Sequence, residues 1–188
     1  AEEDFKSAHE NFTKSLELKK ITWGENHSMV GFAYMNLGAL EYTMKMYDSA
    51  NKNLLNSLKN YKKSINENHI WLGLTYFWYG KNLIEFNKLN EAEDYIQKAL
   101  KIYYKNYSKD HVNIISANAE LGIIYLLEKR YKESEKLLLN GYEKIKEIKG
   151  SKNFNTKRIL DYVIKFYDET KNVEKLNYYK NLSIISAN

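Results

Sequence analysis

The chain has 188 residues, of which 44% are hydrophobic and 28% are charged, and these ordinary values exclude a wholly disordered chain. It contains no cysteine, which excludes disulfides, thiolate metal sites and a cysteine nucleophile, and no proline to interrupt a helix. The net charge is +5, but lysine is interleaved with glutamate and aspartate, which argues against a nucleic-acid surface.

Apolar residues recur at helical spacing along the chain, and they predict an all-α protein. A leading helix is predicted over residues 1–22. Four helix pairs follow, and each pair has a first helix, helix A, and a second, helix B. The predicted A helices span 28–45, 70–87, 112–129 and 154–170, and the predicted B helices span 47–64, 89–106, 131–149 and 173–186.

The helix pairs repeat with a period of 42 residues. Residues in phase include His27, His69 and His111, then Gly38, Gly80 and Gly122, and then Leu16, Leu58, Leu100 and Tyr142. Such self-similarity indicates a repeat protein. We therefore predict a single domain over 1–188, divided into 1–22, 23–64, 65–106, 107–148 and 149–188. The first segment is the second helix of a truncated repeat, and the last is a divergent or capping repeat.

The three in-phase glycines lie inside predicted A helices, where glycine costs about 1 kcal/mol relative to alanine. A close approach of two helices explains this, because a missing side chain lets the backbones touch. Ala50 and Ala92 are the matching small residues on the B helices, and Leu54 and Ile96 are expected to fill the remaining gap.

The sequences "YMNLGALE…YDSANKNLLNSL", "YFWYGKNL…LNEAEDYIQKAL" and "NAELGIIY…YKESEKLLLNGY" resemble the tetratricopeptide repeat. The 42-residue period and the junctions "GENH", "NENH" and "SKDH" resemble the kinesin light chain type. This resemblance implies a right-handed superhelix of antiparallel helix pairs and a non-catalytic scaffold that binds a peptide. The chain departs from the pattern where Ile164 replaces a fourth glycine and Asn153 a fourth histidine, and where Ser28, Ile70 and Val112 stand in the place of a proline.

The three in-phase histidines are predicted to be structural. Equivalent atoms of stacked helix pairs lie about 8–10 Å apart, whereas zinc ligands lie within roughly 4 Å of one another. Each histidine follows Asn26, Asn68 or Asp110, which are favoured N-cap types, and is expected to pack its ring against the preceding turn. We predict no metal and no cofactor. His9 is expected on the polar side of the first helix, outside the pattern.

No phosphate-binding glycine loop and no metalloprotease helix motif occurs in the sequence, so no catalytic residue and no enzyme activity are predicted. A tetratricopeptide superhelix lines its concave side with A helices. The residues expected to face that groove and bind a peptide are Phe32, Met35, Asn36, Ala39, Tyr42, Leu74, Phe77, Trp78, Lys81, Glu85, Ala119, Glu120 and Ile123.

The resemblance also narrows the kind of peptide. The lysine and asparagine with which some tetratricopeptide domains hold chaperone C-termini are Met35 and Ala39 here, so a chaperone tail is not the expected ligand. Asn36 and Lys81 are compatible with the aromatic-acidic motifs that kinesin light chain-like domains bind.

Two other functions remain open at this stage. The uncovered face of the first helix (Phe5, Phe12 and Leu16) and the last helix (Leu176, Leu182, Ile184 and Ile185) could mediate homo-oligomer assembly or dock another domain. The charge and the tyrosines leave a nucleic-acid binder as the less favoured alternative. No run of 18 apolar residues and no signal sequence is present, which favours a cytoplasmic location.

Overall fold

The structure, a computed structural model, describes residues 2–187, and side chains from residue 4 to residue 185. Over this range the chain forms nine α-helices and no strand. They are α1 (Glu2–Trp23), α2 (Ser28–Thr43), α3 (Tyr47–Ser64), α4 (Ile70–Glu85), α5 (Leu89–Asn106), α6 (Val112–Leu127), α7 (Tyr131–Lys149), α8 (Phe154–Glu169) and α9 (Val173–Ala187). The predicted end residues 1 and 188 lie outside the described part.

The A helices α2, α4, α6 and α8 begin where the sequence predicts, but they end one or two residues early. The cause is a left-handed residue at the same phase of every repeat: Lys45, Asn87, Lys129 and Lys171 have φ of 60°, 56°, 62° and 59°. In the first repeat the Met46 amide donates to the Glu41 carbonyl at 2.8 Å, and the Lys45 amide donates to the Tyr42 carbonyl at 2.9 Å. These two bonds close a Schellman motif, which stops the helix.

The described residues fall into two compact units that meet in sequence between 106 and 107, which is also a predicted repeat boundary. In unit 1, α2 packs on α3 and α4 packs on α5, while α1 lies against α2 and the neighbouring A helices α2 and α4 touch. In unit 2, α6 packs on α7 and α8 on α9, and α7 contacts α8. A single domain over the whole chain stays a prediction.

The helix glycines mark the close approaches that the sequence predicts. A Cβ on Gly38 would lie 2.8 Å from Leu54 Cγ, and one on Gly80 would lie 2.8 Å from Ile96 Cδ1. Both distances are shorter than van der Waals contact, so only glycine lets the helices pack this closely. In unit 2 the close approach is reinforced, because the Ser134 hydroxyl donates to the Gly122 carbonyl at 2.7 Å.

The histidines themselves cap the A helices, which corrects the expectation that the preceding Asn or Asp would do so. Nδ1 of His27, His69 and His111 accepts the backbone N–H two residues later at 3.2 Å in each case. The expected ring packing is also present, since His27 stacks on Trp23 at 4.7 Å between centroids and His111 on Tyr107 at 3.6 Å. Their role in the fold is therefore structural.

Two expectations for the first helix are wrong. Leu16 is buried against Val30, Ala33 and Leu37 of α2, so it does not belong to an uncovered face. His9 is half-buried, and its Nε2 lies 3.2 Å from Oε1 of the buried Glu41, whose other oxygen accepts a bond from Asn53 at 2.7 Å.

None of the described helices is both long and apolar enough to cross a membrane.

Candidate functional site

A row of aromatic rings lies along the neighbouring A helices of unit 1, and we call it the aromatic stripe: Phe32, Trp71, Phe77 and Trp78. Phe32 and Trp71 approach to 4.8 Å between ring centroids, and Phe77 and Trp78 to 5.6 Å. All four side chains are partly exposed. The rings thus hold one another in place and still offer apolar surface to a partner.

The structure adds Trp71 to the residues that the sequence predicts for this face. Its ring also stacks on Tyr61 at 6.3 Å and meets the edge of His69 at 4.9 Å. A helical-spacing signal is present in the sequence, because Trp71 precedes Leu74 by three residues and Trp78 by seven. Its position in the first turn of α4, next to the capping histidine, kept it out of the predicted set.

A buried lysine lies beneath the aromatic stripe. The Lys81 side chain is 1% exposed, and its Nζ lies 4.9 Å from the ring centroids of both Tyr42 and Trp78 and 5.4 Å from that of Phe77. Cation–π attraction of this kind strengthens when the cation is desolvated. Tyr42 is buried as well, and its hydroxyl donates to Glu85 Oε1 at 2.9 Å. The arrangement places the Lys81 amino group behind the rings of Tyr42, Phe77 and Trp78.

The predicted groove residues divide into two groups by exposure. Those that keep part of their surface exposed are Phe32, Asn36, Ala39, Leu74, Phe77, Trp78 and Glu85. Those that are buried are Met35, Tyr42, Lys81, Ala119, Glu120 and Ile123. The exposed group lies entirely on α2 and α4, so these helices of unit 1 offer the accessible surface.

The three predicted site residues of unit 2 have packing roles in the structure, which corrects their placement on an open face. A Cβ on Gly141 of α7 would lie only 2.5 Å from Ala119 Cβ, so Ala119 faces α7. Ile123 is fully buried. Glu120 accepts two bonds from Arg158 Nη1, at 2.8 and 2.7 Å, with both side chains largely buried. This ion pair joins α6 to α8.

Among the described residues, no group of three or more His, Asp or Glu side chains could hold a metal ion. Beside the aromatic stripe, the Tyr42 hydroxyl and the Glu85 carboxylate are hydrogen-bonded to each other. The face can contact a partner through its aromatic surface. Asn36 and Glu85 are partly exposed beside the aromatic stripe and can form hydrogen bonds with that partner.

Capped helix pairs, glycine contacts and in-phase helix ends define an all-α helical-repeat protein. Residues 29–105 match the family model described as tetratricopeptide repeat. This segment is a tetratricopeptide-repeat region, which confirms the resemblance seen in the sequence. No curated protein sequence matches the chain.

Solved structures share the fold. A protein from Podosopora anserina, described as a kinesin light chain with nearly identical TPR-like repeats, matches with a TM-score of 0.66 and 12% identity over 97% of this chain and 87% of that one. BtubC (BKLC) from P. vanneervenii matches with a TM-score of 0.65 and 12% identity over 98% and 72%.

The apo form of RapI matches with a TM-score of 0.67 and 24% identity over 98% of this chain and 47% of RapI, so the chain spans about half of that protein. At these identities the likeness shows the fold alone. The all-α fold of tetratricopeptide-type helix pairs that the sequence predicts is thereby confirmed.

Proposed function

We propose that the chain is a non-catalytic interaction scaffold that binds a peptide segment of a partner protein across α2 and α4. The observation that carries this proposal is the aromatic stripe, whose four rings all keep part of their surface exposed. A tetratricopeptide fold is typical of protein-interaction scaffolds, which supports the class of function. The cytoplasmic location expected from the sequence is part of the proposal.

The chemistry of the face defines the peptide. Aromatic residues dominate the energy of interfaces, so Phe77 and Trp78 are the proposed anchors for large apolar side chains. Asn36 offers an amide that can both donate to and accept from a peptide backbone.

The test begins with a displayed library of random twelve-residue peptides selected on the intact chain. Selected peptides are then titrated against the parent and against Phe77→Ala and Asn36→Ala. We expect roughly tenfold weaker binding for Phe77→Ala, the usual cost of losing an aromatic anchor. Tyr104→Ala, which removes an exposed ring from α5, is the matched control and should leave affinity unchanged.

Circular dichroism is measured for each variant to show that it retains the helicity of the parent. Weaker binding then reflects the lost side chain and not unfolding. Peptides that bind Phe77→Ala and Asn36→Ala as tightly as the parent would reject this face as the site. Equal weakening by Tyr104→Ala would reject it too, since that ring lies outside the aromatic stripe.

A second candidate function is self-assembly through the terminal helices, favoured by their exposed apolar side chains. Phe5 and Phe12 of α1 are 43% and 40% exposed, and Ile184 and Ile185 of α9 are 63% and 69% exposed. Sedimentation of the parent and of Phe12→Gln with Ile185→Gln over a wide concentration range tests it. A parent that stays monomeric at the highest concentration would remove this candidate.

A further inference from the structure

A cavity of about 410 Å³ opens between α3, α4 and α5 of unit 1, away from the aromatic stripe. We call it the lysine pocket, and its lining residues are Leu55, Asn56, Leu58, Lys59, Lys62, Leu72, Tyr76, Tyr95 and Lys98. Leu72 and Tyr76 project from α4 on the side opposite to Leu74 and Trp78, because the two sets are half a helical turn apart. The peptide-binding proposal therefore makes no use of this cavity.

The interior of the lysine pocket is apolar and aromatic. Leu58 and Leu72 are buried at its floor, and Leu55 at its edge is 42% exposed. The rings of Tyr76 and Tyr95 approach to 5.6 Å between centroids. Its volume lies within the range of roughly 300–1,000 Å³ that small-molecule sites occupy. The cavity is thus large enough for a compact molecule with an apolar body.

The edge of the lysine pocket is positively charged. Lys59, Lys62 and Lys98 line it, and no aspartate or glutamate does. Lys98 is held by Asp94 and lies 4.8 Å from the Tyr95 ring centroid. In the described part of the chain, no carboxylate lies within ion-pair distance of Lys59 or Lys62. An anion would therefore find two ammonium groups that are not engaged by acids.

The repeat does not require this combination of side chains. Leu58 and Leu72 are in phase with Leu100 and Ile114, which are also buried, so helix packing explains them. The residues one period after Tyr76, Tyr95, Lys62 and Lys98 are Asn118, Leu137, Tyr104 and Asn140. Lys59 does have a counterpart one period later, Lys101, so it is the combination of two tyrosines and three lysines that is specific to this repeat interval.

Burial raises the pKa of the Tyr76 hydroxyl, although nearby Lys98 opposes the shift. The hydroxyl therefore keeps its proton, so Tyr76 adds a neutral hydrogen-bonding group beside the lysines, and the carboxylates of Asp94 and Glu67 also raise its pKa.

We propose that the lysine pocket binds a small organic anion with an apolar body, such as an aromatic carboxylate or sulfonate. The apolar body lies over Leu58 and Leu72 beside the tyrosine rings, and the anionic group pairs with Lys59 and Lys62. This site is separate from the proposed peptide face. The proposal for the lysine pocket therefore does not depend on whether a peptide binds to that face.

The probe for this proposal is 8-anilino-1-naphthalenesulfonate, and its matched control is N-phenyl-1-naphthylamine, the same ring system without the sulfonate. Both are titrated by fluorescence against the intact chain. We expect the sulfonate to bind the parent and Lys59→Gln with Lys62→Gln to weaken it roughly tenfold, as the loss of two ion pairs predicts. Binding of the uncharged control should not change.

The matched protein control is Lys52→Gln with Lys101→Gln, which removes the same charge from exposed positions on α3 and α5 outside the cavity. Amide chemical shifts locate the bound sulfonate, and the largest changes are expected at Leu58 and Tyr76. No binding by the parent, equal weakening by the control pair, or shifts centred on α1 or α9 would each overturn the proposal.

Discussion

A hydrogen-bond acceptor occupies the residue before every A helix. His27, His69 and His111 use imidazole Nδ1, and Asn153 uses its side-chain oxygen, which accepts from the Asn155 amide at 3.0 Å. The amides at a helix N-terminus have no partner within the helix, so an acceptor side chain stabilises the first turn. Replacement of histidine by Asn153 therefore preserves the cap.

The capping role predicts how substitutions at His69 behave. His69→Ala should lower the free energy of unfolding by about 1 kcal/mol, the usual cost of losing an N-cap. His69→Asn should retain most of that free energy, because asparagine accepts the same bond. Urea unfolding of the three proteins measures the difference. If both variants lose stability equally, the contact with the Trp71 ring matters and the cap does not.

A left-handed backbone at Lys129 is strained, because its Cβ crowds the following carbonyl oxygen, whereas glycine has no such crowding. Lys129→Gly should therefore raise the free energy of unfolding by about 1 kcal/mol. The control is Lys136→Gly, an exposed site inside α7, where glycine should lower it by about 1 kcal/mol. Thermal or urea unfolding of both variants measures whether the free energy of unfolding rises or falls. A loss of stability at Lys129→Gly would show that the lysine side chain outweighs the strain.

At the scale of the helix, the missing side chain at Gly141 lets α7 approach α6 closely. A Cβ on Gly141 would lie 2.5 Å from Ala119 Cβ, and neither atom can rotate away, because each is attached directly to a helix backbone. The two helices must separate if Gly141 acquires a methyl group.

Gly141→Ala should lower the free energy of unfolding by about 1–3 kcal/mol, the cost of overpacking a core. Ala119→Gly removes the opposing methyl, so the double variant should be more stable than the sum of the two single changes predicts. A double-mutant cycle by urea unfolding measures this coupling. Strictly additive losses would show that the two residues do not meet.

The helix pairs and their glycine contacts could be predicted from the sequence, because a 42-residue phase assigns each residue to a side of its helix. The exposure of each residue on that side could not be predicted in this way. Met35, Phe77 and Ala119 share one phase, yet Phe77 is partly exposed and the other two are buried. The volume of the opposing side chain differs in each repeat, and the period carries no information about it.

The helix ends show a second limit. The sequence predicts the A helices one or two residues too long, because Lys45 and Lys129 are ordinary helix formers and give no local signal for a left-handed backbone. The approach of His9 to Glu41 could not be predicted from residue identity, because the residues in phase with them three periods later, Glu135 and Tyr167, form a different hydrogen bond, at 3.1 Å.

Burial is uneven across the described chain as a whole. Ten residues of α6 are buried, whereas α1 buries only Leu16 and α9 buries none of its described side chains. Helices with few buried contacts open most readily.

This gradient predicts the order of amide hydrogen exchange in the native protein. Amides of α9 should exchange fastest among the helices, followed by those of α1, and amides of α4 and α6 should exchange most slowly. Exchange followed by mass spectrometry resolves the helices. Protection of α9 equal to that of α6 would indicate that another surface covers it, and dilution would then distinguish a second copy from an internal contact.

Asparagine stands in place of histidine before α8, and this substitution has a practical consequence for finding proteins with this repeat. What recurs at this place is a lone pair directed at one amide, and several side-chain types supply it. A sequence profile that scores only histidine at this position would give the fourth helix pair a low score, and it would count too few repeats in the chain. One that accepts any short acceptor 42 residues after the last would recover all four modules in this chain.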